Sequence, residues 1–373
     1  MDFDFSTQDQ ALWKALGLLF TEKRFDGVDS PVAAREALMP LLPGLSAAGY
    51  LNIALDKAAD GELHLTAAME KVAGHCPDLF LMLEMSTRVF GRALRRWGNP
   101  CIKAALCDLI CKGKALGTVA LCEGAQNTEA TDLALQGTSV AGRVHISGEK
   151  SHVLNAAGVD YLAVIGRLAD ETAVFILPRQ TPGLKVGPAS GTLGGTGAWL
   201  GPITLDDCVI SEHQVLVLDT EKNPIEIVRM WENQVLCAAA LADMGRCFDL
   251  ARAFADSHRS GGKPIIAHQA VAFKLAEMYT LKQTAQLLAY HAGWSADNTD
   301  RQTLTLSYCA KVFCTEAAER IASEALQVMG VHGCAPNGPL AGALGRGKFG
   351  SLFGTSSEIA RNTIGDAMLK YVD

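Results

Sequence analysis

The chain has 373 residues, of which 49% are hydrophobic and 20% are charged, and its formal net charge at pH 7 is −7. A chain of this length and composition is expected to be globular, with two or three domains or layers around a large core. The acidic balance, without any long run of Lys and Arg, argues against a nucleic-acid surface.

The first ten residues, MDFDFSTQDQ, carry neither the basic nor the apolar stretch of a secretory leader. No apolar run approaches the roughly 18 residues of a membrane span, so we expect a cytoplasmic protein. The 11 cysteines are scattered without a C-x-x-C pair, which predicts a reducing compartment and no metal site. Cys107, Cys111, Cys237 and Cys247 lie in apolar helical patterns and are expected to be buried.

Residues 1–116 are predicted to form an N-terminal helical domain. Apolar residues recur there at the spacing of one helix face, and Pro and Gly separate the segments. The predicted helices lie in QALWKALGLLF, PVAAREALMPLLPGLSAAGY, AMEKVAGHC and DLFLMLEMSTRVFGRALRRWG, the last of which is capped by Gly98.

Residues 117–224 are predicted to form a middle β-domain, a small sandwich or barrel. Short runs rich in β-branched residues alternate there with Gly, Asn and Asp, which is typical of strands and turns. The predicted strands lie in GTVALCE, GRVHISGEK, YLAVIGRL, TAVFILP and LGPITLDDCVI.

Residues 225–373 are predicted to form a C-terminal four-helix bundle, which makes the chain an α+β multidomain protein. Three segments have the length and apolar stripe of bundle helices, and a short helix follows them. The long segments are VRMWENQVLCAAALADMGRCFDLARAFADSH, HQAVAFKLAEMYTLKQTAQLLAYHAGW and TLSYCAKVFCTEAAERIASEALQVMG.

The segment QVMGVHG, residues 327–333, has the composition of a phosphate-binding loop. Gly330 and Gly333 allow close approach of backbone N–H groups to a pyrophosphate, and Gln327 offers a side-chain amide. Taken alone, these glycines are explained more simply by the end of a helix. Gln269, at a predicted helix start, does not by itself indicate a ligand-binding site.

Four segments together resemble the acyl-CoA dehydrogenase family of flavoproteins, and the resemblance covers essentially the whole chain. The matching segments are GEKSHVLNAAGVDYLAVIGR (148–167), GGKPIIAHQAVAFKLAEM (261–278), QVMGVHG (327–333) and GTSSEIARNTI (354–364). The resemblance implies a homotetramer that holds FAD noncovalently, with part of each flavin site supplied by a neighbouring subunit. It places contacts with FAD at Cys122, Thr128, His152, Leu154, His258, Arg259, Gln269, Gln327, Gly330, Gly333, Thr355 and Ser357.

Several of these positions depart from the family pattern. His152 stands where the family has a Trp beside the flavin, and Leu154 replaces the Thr whose hydroxyl faces flavin N5. His258 replaces an Arg, although Arg259 is adjacent. The segment CEGAQNTE (122–129) keeps a Glu and one hydroxyl of the family's T-E-P-G-A-G-S-D. Contacts made by main-chain N–H groups survive such changes, because they do not depend on side-chain identity.

The resemblance also predicts where the catalytic base lies. Dehydrogenation of an acyl thioester needs a carboxylate that removes the α-proton. Most members carry it directly before the Gly-Thr of the terminal loop, where this chain has Phe353. Isovaleryl- and long-chain-type members carry a Glu in E-x-x-V-L-A-G, which matches Glu232 in ENQVLCA. We therefore predict Glu232 as the base; alternatively, it is a carboxylate stabilised by the N-terminal dipole of its helix.

Asp243 is the next candidate acid, although an ion pair with Arg246 or another bundle residue explains it more simply. Glu84 and Arg88 belong to the helix that lines the acyl pocket in this family. If they face inward, the pocket is polar; we favour the alternative, a solvated pair four residues apart. Phe353, Gly354 and Arg361 in and after the terminal turn are the further predicted substrate contacts, since helix N-termini bind polar ligands.

Three functions are compatible with these residues. The first is FAD-dependent dehydrogenation of an acyl-CoA, with electrons passed to an electron-transfer flavoprotein. The second is a non-catalytic or half-competent subunit, paired with a second acyl-CoA dehydrogenase-like chain; Phe353 and the altered flavin-facing residues favour it. The third is chemistry on a carrier-bound or cyclic acyl group.

Overall fold

The structure is a computed structural model. It describes residues 5–20, 28–53, 55, 61–124, 133–195, 197–218, 224–297, 302–335, 338 and 340–369. Within these ranges, no helix has both the length and the apolar character needed to cross a membrane.

The described part of the chain before residue 117 is helical, as predicted. Its helices are α1 (Thr7–Phe20), α2 (Pro31–Leu38), α3 (Leu42–Ala47), α4 (Glu62–His75), α5 (Pro77–Glu84), α6 (Phe90–Trp97), α7 (Pro100–Ile102) and α8 (Asp108–Cys111). A π-helical turn, Met85–Val89, joins α5 to α6, and another, Lys103–Cys107, joins α7 to α8. The helix predicted over residues 78–98 is therefore continuous but locally widened.

The middle of the chain forms one sheet in the described residues. Its strands are β1 (Gly117–Ala120), β2 (Gln136–Val140), β3 (Arg143–Leu154), β4 (Tyr161–Leu168), β5 (Glu171–Pro178), β6 (Leu184–Val186), β7 (Ser190–Gly191), β8 (Trp199–Ser211) and β9 (Val215–Val217). Their order is β6-β8-β3-β2-β4-β5-β9, with β7 on β8 and β1 parallel to β4. The five predicted strands are β1, β3, β4, β5 and β8. The others are too short or, like QGTSV in β2, too exposed to show an alternating pattern.

The third region is again helical. It contains α9 (Pro224–Ser257), a two-stranded hairpin of β10 (Arg259–Ser260) and β11 (Lys263–Pro264), α10 (Gln269–Asp297), α11 (Thr303–Met329), α12 (Ala341–Leu352) and α13 (Ser357–Leu369). Helices α9, α10 and α11 pack side by side, and α12 and α13 pack on α11. Helix α12 was not predicted, because its many glycines disfavour a helix in the absence of tertiary contacts.

Helix α9 connects two hydrophobic cores, which explains why its sequence is apolar on nearly all sides. Val235 and Leu236 pack into the core shared with α1–α6 and the sheet, whereas Cys237 and Leu241 pack into the core of the bundle. The first turns of α9 therefore lie where all three regions meet. The predicted division at residues 116 and 224 follows the changes of element type and stays a prediction.

Candidate active site

The junction of the three regions contains a cavity of about 330 Å³. Its walls come from the π-helical turn after α5, the ends of β1 and β3, the first turns of α9, and the turn between α12 and α13. The lining residues are mostly apolar: Met85, Val89, Thr118, Val119, Leu121, Cys122, His152, Leu154, Leu200, Arg229, Glu232, Phe349, Leu352, Phe353 and Gly354.

Glu232 lies in this cavity with 7% of its surface exposed. Its Oε2 accepts a hydrogen bond of 2.6 Å from Nη1 of Arg229, one turn earlier on α9. The second terminal nitrogen of Arg229 lies 3.6 Å from Sγ of Cys122. Burial opposes the charge of Arg229, but the Glu232 carboxylate outweighs this effect and raises the pKa of Arg229 above its usual value. Arg229 was not predicted as a site residue, although its i,i+3 spacing to Glu232 is visible in the sequence.

A buried ion pair holds the β-side wall of the cavity. Lys150 on β3 is fully buried, and its Nζ donates to the carbonyl of Leu121 at 3.1 Å and to Oε1 of Glu123 at 2.5 Å. Burial lowers the pKa of Lys150, and the neighbouring Glu123 partly offsets this. Glu123 in turn accepts hydrogen bonds from the backbone N–H groups of residues 134 and 135. These contacts fix Cys122, between Leu121 and Glu123, at the cavity wall.

The end of β3 supplies the neighbouring wall. Thr118 on β1 donates through Oγ1 to the carbonyl of Leu154 at 2.8 Å, which joins the two strand ends. His152 is exposed, and its Nδ1 lies 2.8 Å from the hydroxyl of Ser151. The structure thus brings Cys122, His152 and Leu154, three of the predicted flavin-facing residues, into one cavity with Glu232.

The turn between α12 and α13 closes the cavity on the opposite side. The ring of Phe353 stacks on that of Phe349, with centroids 5.0 Å apart. Gly354 follows with a φ of +70°, a backbone conformation that favours glycine. A Cβ at this position would lie 3.6 Å from Oε2 of Glu232, so the turn packs closely against the candidate base.

Lys311 on α11 holds the turn between α12 and α13 by hydrogen bonds. Its Nζ donates to the carbonyls of Ser351, at 3.0 Å, and of Thr355. Burial lowers the pKa of Lys311 to about 8. Thr355 and Ser357 are both buried, and the hydroxyl of Ser357 has no hydrogen-bond partner among the described residues. The cofactor contacts of Thr355 and Ser357 stay predictions.

The other predicted cofactor residues lie at the far end of α9. Since each helical residue rises about 1.5 Å, Ser257 lies about 38 Å from Glu232 along the helix. There the rings of Phe254, His258 and His332 cluster, with the Phe254 and His258 centroids 4.7 Å apart. This cluster places the segment 330–334 beside the end of α9.

The surface around this ring cluster is open. Gly330 ends α11 with a φ of +56°, and nothing lies within 4 Å of a Cβ built on it. Three of the remaining predicted cofactor residues of this end are exposed, namely Arg259, Gln269 and Gln327. Gly333 is buried. Amide and guanidinium donors beside an open loop suit an anionic pyrophosphate, and the apolar cavity suits a flat ring system. The residues present therefore fit FAD, in two separate groups.

Glu84 and Arg88 are not solvated, so the prediction of an exposed pair was wrong. The two side chains are 0% and 1% exposed, and Arg88 Nε lies 3.3 Å from Glu84 Oε2. The hydroxyl of Tyr50 donates to Glu84, and Arg88 donates to the backbone carbonyls of residues 50, 51 and 53. Burial raises the pKa of Glu84, although the charge of Arg88 opposes this.

This buried pair faces the segment after α3, because that segment covers the helix face and offers carbonyl oxygens to the guanidinium. Met85 and Val89, each one residue further along, line the cavity instead. The wall that this segment gives to the cavity is therefore apolar.

Two further predicted residues lie away from the cavity. Arg361 on α13 pairs with Glu316 of α11 at 2.8 Å and is half exposed. Asp243 pairs with Arg346 at 2.9 Å and with Arg246, which confirms the simpler explanation given for this carboxylate. Thr128 lies outside the described residues.

The cysteines divide into two groups. Cys237 and Cys247 are buried, as predicted, whereas Cys107 and Cys111 are half exposed because the π-helical turn and α8 lie at the surface. Among the described residues, no group of three or more His, Cys, Asp or Glu side chains could hold a metal ion.

Comparison with known proteins gives one consistent result. Residues 230–369 match the family model of the acyl-CoA dehydrogenase C-terminal domain. Benzylmalonyl-CoA dehydrogenase of Aromatoleum aromaticum is 24% identical over 372 residues, which cover 98% of each chain. Butyryl-CoA dehydrogenase of Megasphaera elsdenii has a TM-score of 0.88 at 20% identity, over 99% of this chain and 100% of that one.

An FAD complex of PigA superimposes with a TM-score of 0.85 at 18% identity, over 99% of each chain. These structures share the three-part architecture described above, from the first helices to the final turn. The matches in sequence and in structure agree with the motifs at residues 148–167, 261–278, 327–333 and 354–364. The chain is thus similar to acyl-CoA dehydrogenases along nearly its whole length, and its residues 230–369 match the C-terminal domain of that family.

Proposed function

We propose that this protein is an FAD-dependent acyl-CoA dehydrogenase in which Glu232 removes the α-proton of the acyl group. It is an oxidoreductase of the acyl-CoA dehydrogenase type, acting on a CH–CH bond. The observation that carries the proposal is the position of the Glu232 carboxylate, in a mostly apolar cavity that Cys122, His152 and Leu154 also line. FAD, when bound, supplies the acceptor for the β-hydride.

The residues of the chain account for the proton-transfer half of this chemistry. One oxygen of Glu232 is held by Arg229, and the other has no hydrogen-bond partner among the described residues, so it is available to a proton. The apolar walls, Met85 and Val89 among them, give the carboxylate a surrounding of low polarity, which strengthens its electrostatic interactions. Phe353 adds a further apolar surface at the place where most family members carry the base.

The separation of the two groups of predicted FAD residues supports a site shared between two copies of the chain. The cavity group and the group around Gly330 lie at opposite ends of α9, where Glu232 and Ser257 are about 38 Å apart along the helix. One dinucleotide does not span this distance, so a second chain must bring its Gly330 end to the first chain's cavity. We propose a homo-oligomer, with electrons passed to an electron-transfer flavoprotein; a cytoplasmic location stays a prediction.

The alternative is a half-competent subunit that pairs with a second acyl-CoA dehydrogenase-like chain. Leu154, which offers no hydroxyl at the cavity wall, is the observation that favours it. The visible spectrum of the purified protein separates the two. A yellow protein with about one FAD per subunit supports the homo-oligomer, whereas a colourless protein that takes up no added FAD supports the heteromeric subunit.

The substrate can be identified by anaerobic mixing of the flavin-loaded protein with a panel of thioesters. The panel should contain a linear chain (butyryl-CoA), a ring with a second carboxylate (benzylmalonyl-CoA), a saturated ring (cyclohexane-1-carbonyl-CoA) and a carrier-bound acyl group. Bleaching of the flavin by one class identifies the substrate class. Full FAD content without bleaching by any member would contradict the proposed dehydrogenation.

A further inference from the structure

The cavity contains a second charged side chain that the proposed function does not use as a reactant. Arg229 is 4% exposed, and it faces a cavity whose walls are mostly apolar. Placing a charge in such a site is unfavourable unless a counter-charge and hydrogen bonds compensate. Glu232 is the carboxylate that pairs with Arg229 in the described part of the chain.

Two elements fix the guanidinium. Nη1 donates to Oε2 of Glu232 from the same helix, and Nη2 contacts Sγ of Cys122 on the segment after β1. Because both ends of the planar group are held, the Glu232 carboxylate is held as well. Its Oε2 is occupied, and Oε1 is left as the oxygen available to the cavity.

We propose that Arg229 is the positioning residue of the candidate base: it orients Glu232 and keeps its carboxylate ionised, with Oε1 ready to accept the α-proton. This inference rests on the proposed function of Glu232. A cation within hydrogen-bond distance favours the charged form of a carboxylate, whereas burial alone favours the neutral form. Without Arg229, the Glu232 carboxylate would be equally buried but would have neither its counter-charge nor the hydrogen bond at Oε2.

Other titratable groups face the pair from the elements packed against α9. Cys122 contacts Arg229 directly, His152 lines the same cavity from β3, and Lys311 lies on α11 beneath the terminal turn. Lys311 already donates to two backbone carbonyls, and the exposed His152 is hydrogen-bonded to Ser151. Arg229 is therefore the cation that acts on Glu232.

The test compares Arg229→Gln, which removes the charge, with Arg229→Lys, which keeps the charge but loses the planar fork. The rate of flavin reduction by an active acyl-CoA is measured against pH in the flavin-loaded protein. In Arg229→Gln, we expect the acid limb of the profile to move upward by about 1–3 pH units. In Arg229→Lys, we expect a slower reaction with the acid limb unmoved.

The protonation of Glu232 can also be followed without turnover. The infrared band of the protonated carboxyl is titrated in the wild-type holoprotein and in Arg229→Gln, each with its Glu232→Gln counterpart subtracted. We expect the band to persist to a higher pH in Arg229→Gln than in the wild type. If Arg229→Gln does not fold, Arg229→Lys carries the test, since a shift of its acid limb by more than one pH unit contradicts the proposal.

Arg346→Gln is the matched control, because it also breaks a largely buried pair, that of Arg346 on α12 with Asp243 on α9, outside this cavity. It should lower the stability without moving either pH profile. A slower Arg229→Gln enzyme with an unchanged pH profile would mean that Arg229 has a structural role alone. If no acyl-CoA reduces the wild-type flavin, the dehydrogenase function fails, while the infrared titration still tests the pair.

Discussion

The two ends of α9 differ in how completely a single chain builds them. At the first turns, Glu232 and Arg229 are buried, and the sheet, the terminal turn and the π-helical turn after α5 enclose them. At the far end, Gly330 and Gln327 are exposed around a cluster of rings. Both ends carry residues that the family motifs assign to the cofactor.

The candidate catalytic groups thus lie at the closed end, whereas the open end is suited to contact with another subunit. A buried ion pair needs its environment in place as the chain folds, because an unpaired charge would be costly in the interior. Exposed donors beside an open loop have no such requirement and are available to a partner. The closed end is thus expected to be self-sufficient in structure, whereas the open end completes its function on another copy.

The largest expected effect concerns the closed end. Glu232→Gln keeps the shape of the side chain but removes the proton acceptor. Flavin reduction by the substrate should slow by about 10²–10⁴-fold, the usual contribution of a positioned general base. Binding of the acyl-CoA should still perturb the flavin spectrum, because the cavity remains. Stopped-flow absorbance measures both.

Asp243→Asn is the control, because Asp243 is a buried carboxylate on the same helix outside the cavity. It leaves Arg346 buried without its full counter-charge, so it should destabilise the protein by about 3–5 kcal/mol. The rate of reduction should stay within about tenfold of the wild type. A Glu232→Gln protein that reduces at the normal rate would transfer the role to another acid or to a partner chain.

The second prediction tests whether the open end works on another copy. Gly330→Val forces a branched residue to a φ of +56° and should distort the loop, with loss of bound FAD. Glu232→Gln and Gly330→Val should each be inactive, but oligomers of the two co-expressed chains should recover activity. In such an oligomer, the intact cavity of one chain meets the intact loop of the other. Activity that never exceeds that of either single variant would argue that each chain forms its own site.

The third prediction uses Lys311, which anchors the terminal turn of the closed end. Its pKa in the folded protein is about 8, below the ordinary 10.5, because burial disfavours the charged form. Between these two values the unfolded chain binds the extra proton, so the contribution of Lys311 to the free energy of unfolding rises with pH. Below pH 8 this contribution is at its lowest.

Lys311→Met should remove this rise of the free energy of unfolding with pH. Urea unfolding between pH 7.5 and 10 measures it. Buried cysteines such as Cys76 and Cys247, whose pKa burial raises to about 12, act in the opposite direction. The difference between the wild type and Lys311→Met isolates the lysine. Lys274→Met, which removes a partly exposed ion pair with Glu324, should leave the slope unchanged.

The smallest effect is expected from Phe353→Glu. Phe353 is half buried at the cavity wall and stacks on Phe349, so a polar residue there can reach the cavity. The variant should remain soluble and folded, with a modest decrease in melting temperature measured by calorimetry. Insoluble protein would mean that Phe353 is a core residue and that the closed end tolerates no second carboxylate.

The sequence determined the architecture and indicated Glu232 as the candidate base. Hydrophobic periodicity located the long helices and five of the strands, because most of these elements repeat their pattern over several turns or alternations. The phase of ENQVLCA indicated Glu232, and the structure places this residue in the cavity with Cys122 and His152. These features are local in the chain, so a local pattern is enough to reveal them.

Tertiary structure alone decided which charged groups are buried and which lie together. Glu84 and Arg88 have the spacing of a solvated pair, yet the segment after α3 covers them and supplies carbonyl acceptors. Helix α12 forms despite its glycines because α11 packs against it. The partnership of Arg229 with Glu232 and Cys122 depends on residues 107 positions apart in the chain. The free energy of a buried charge depends on every group that surrounds it, and sequence spacing describes only the neighbours along one helix.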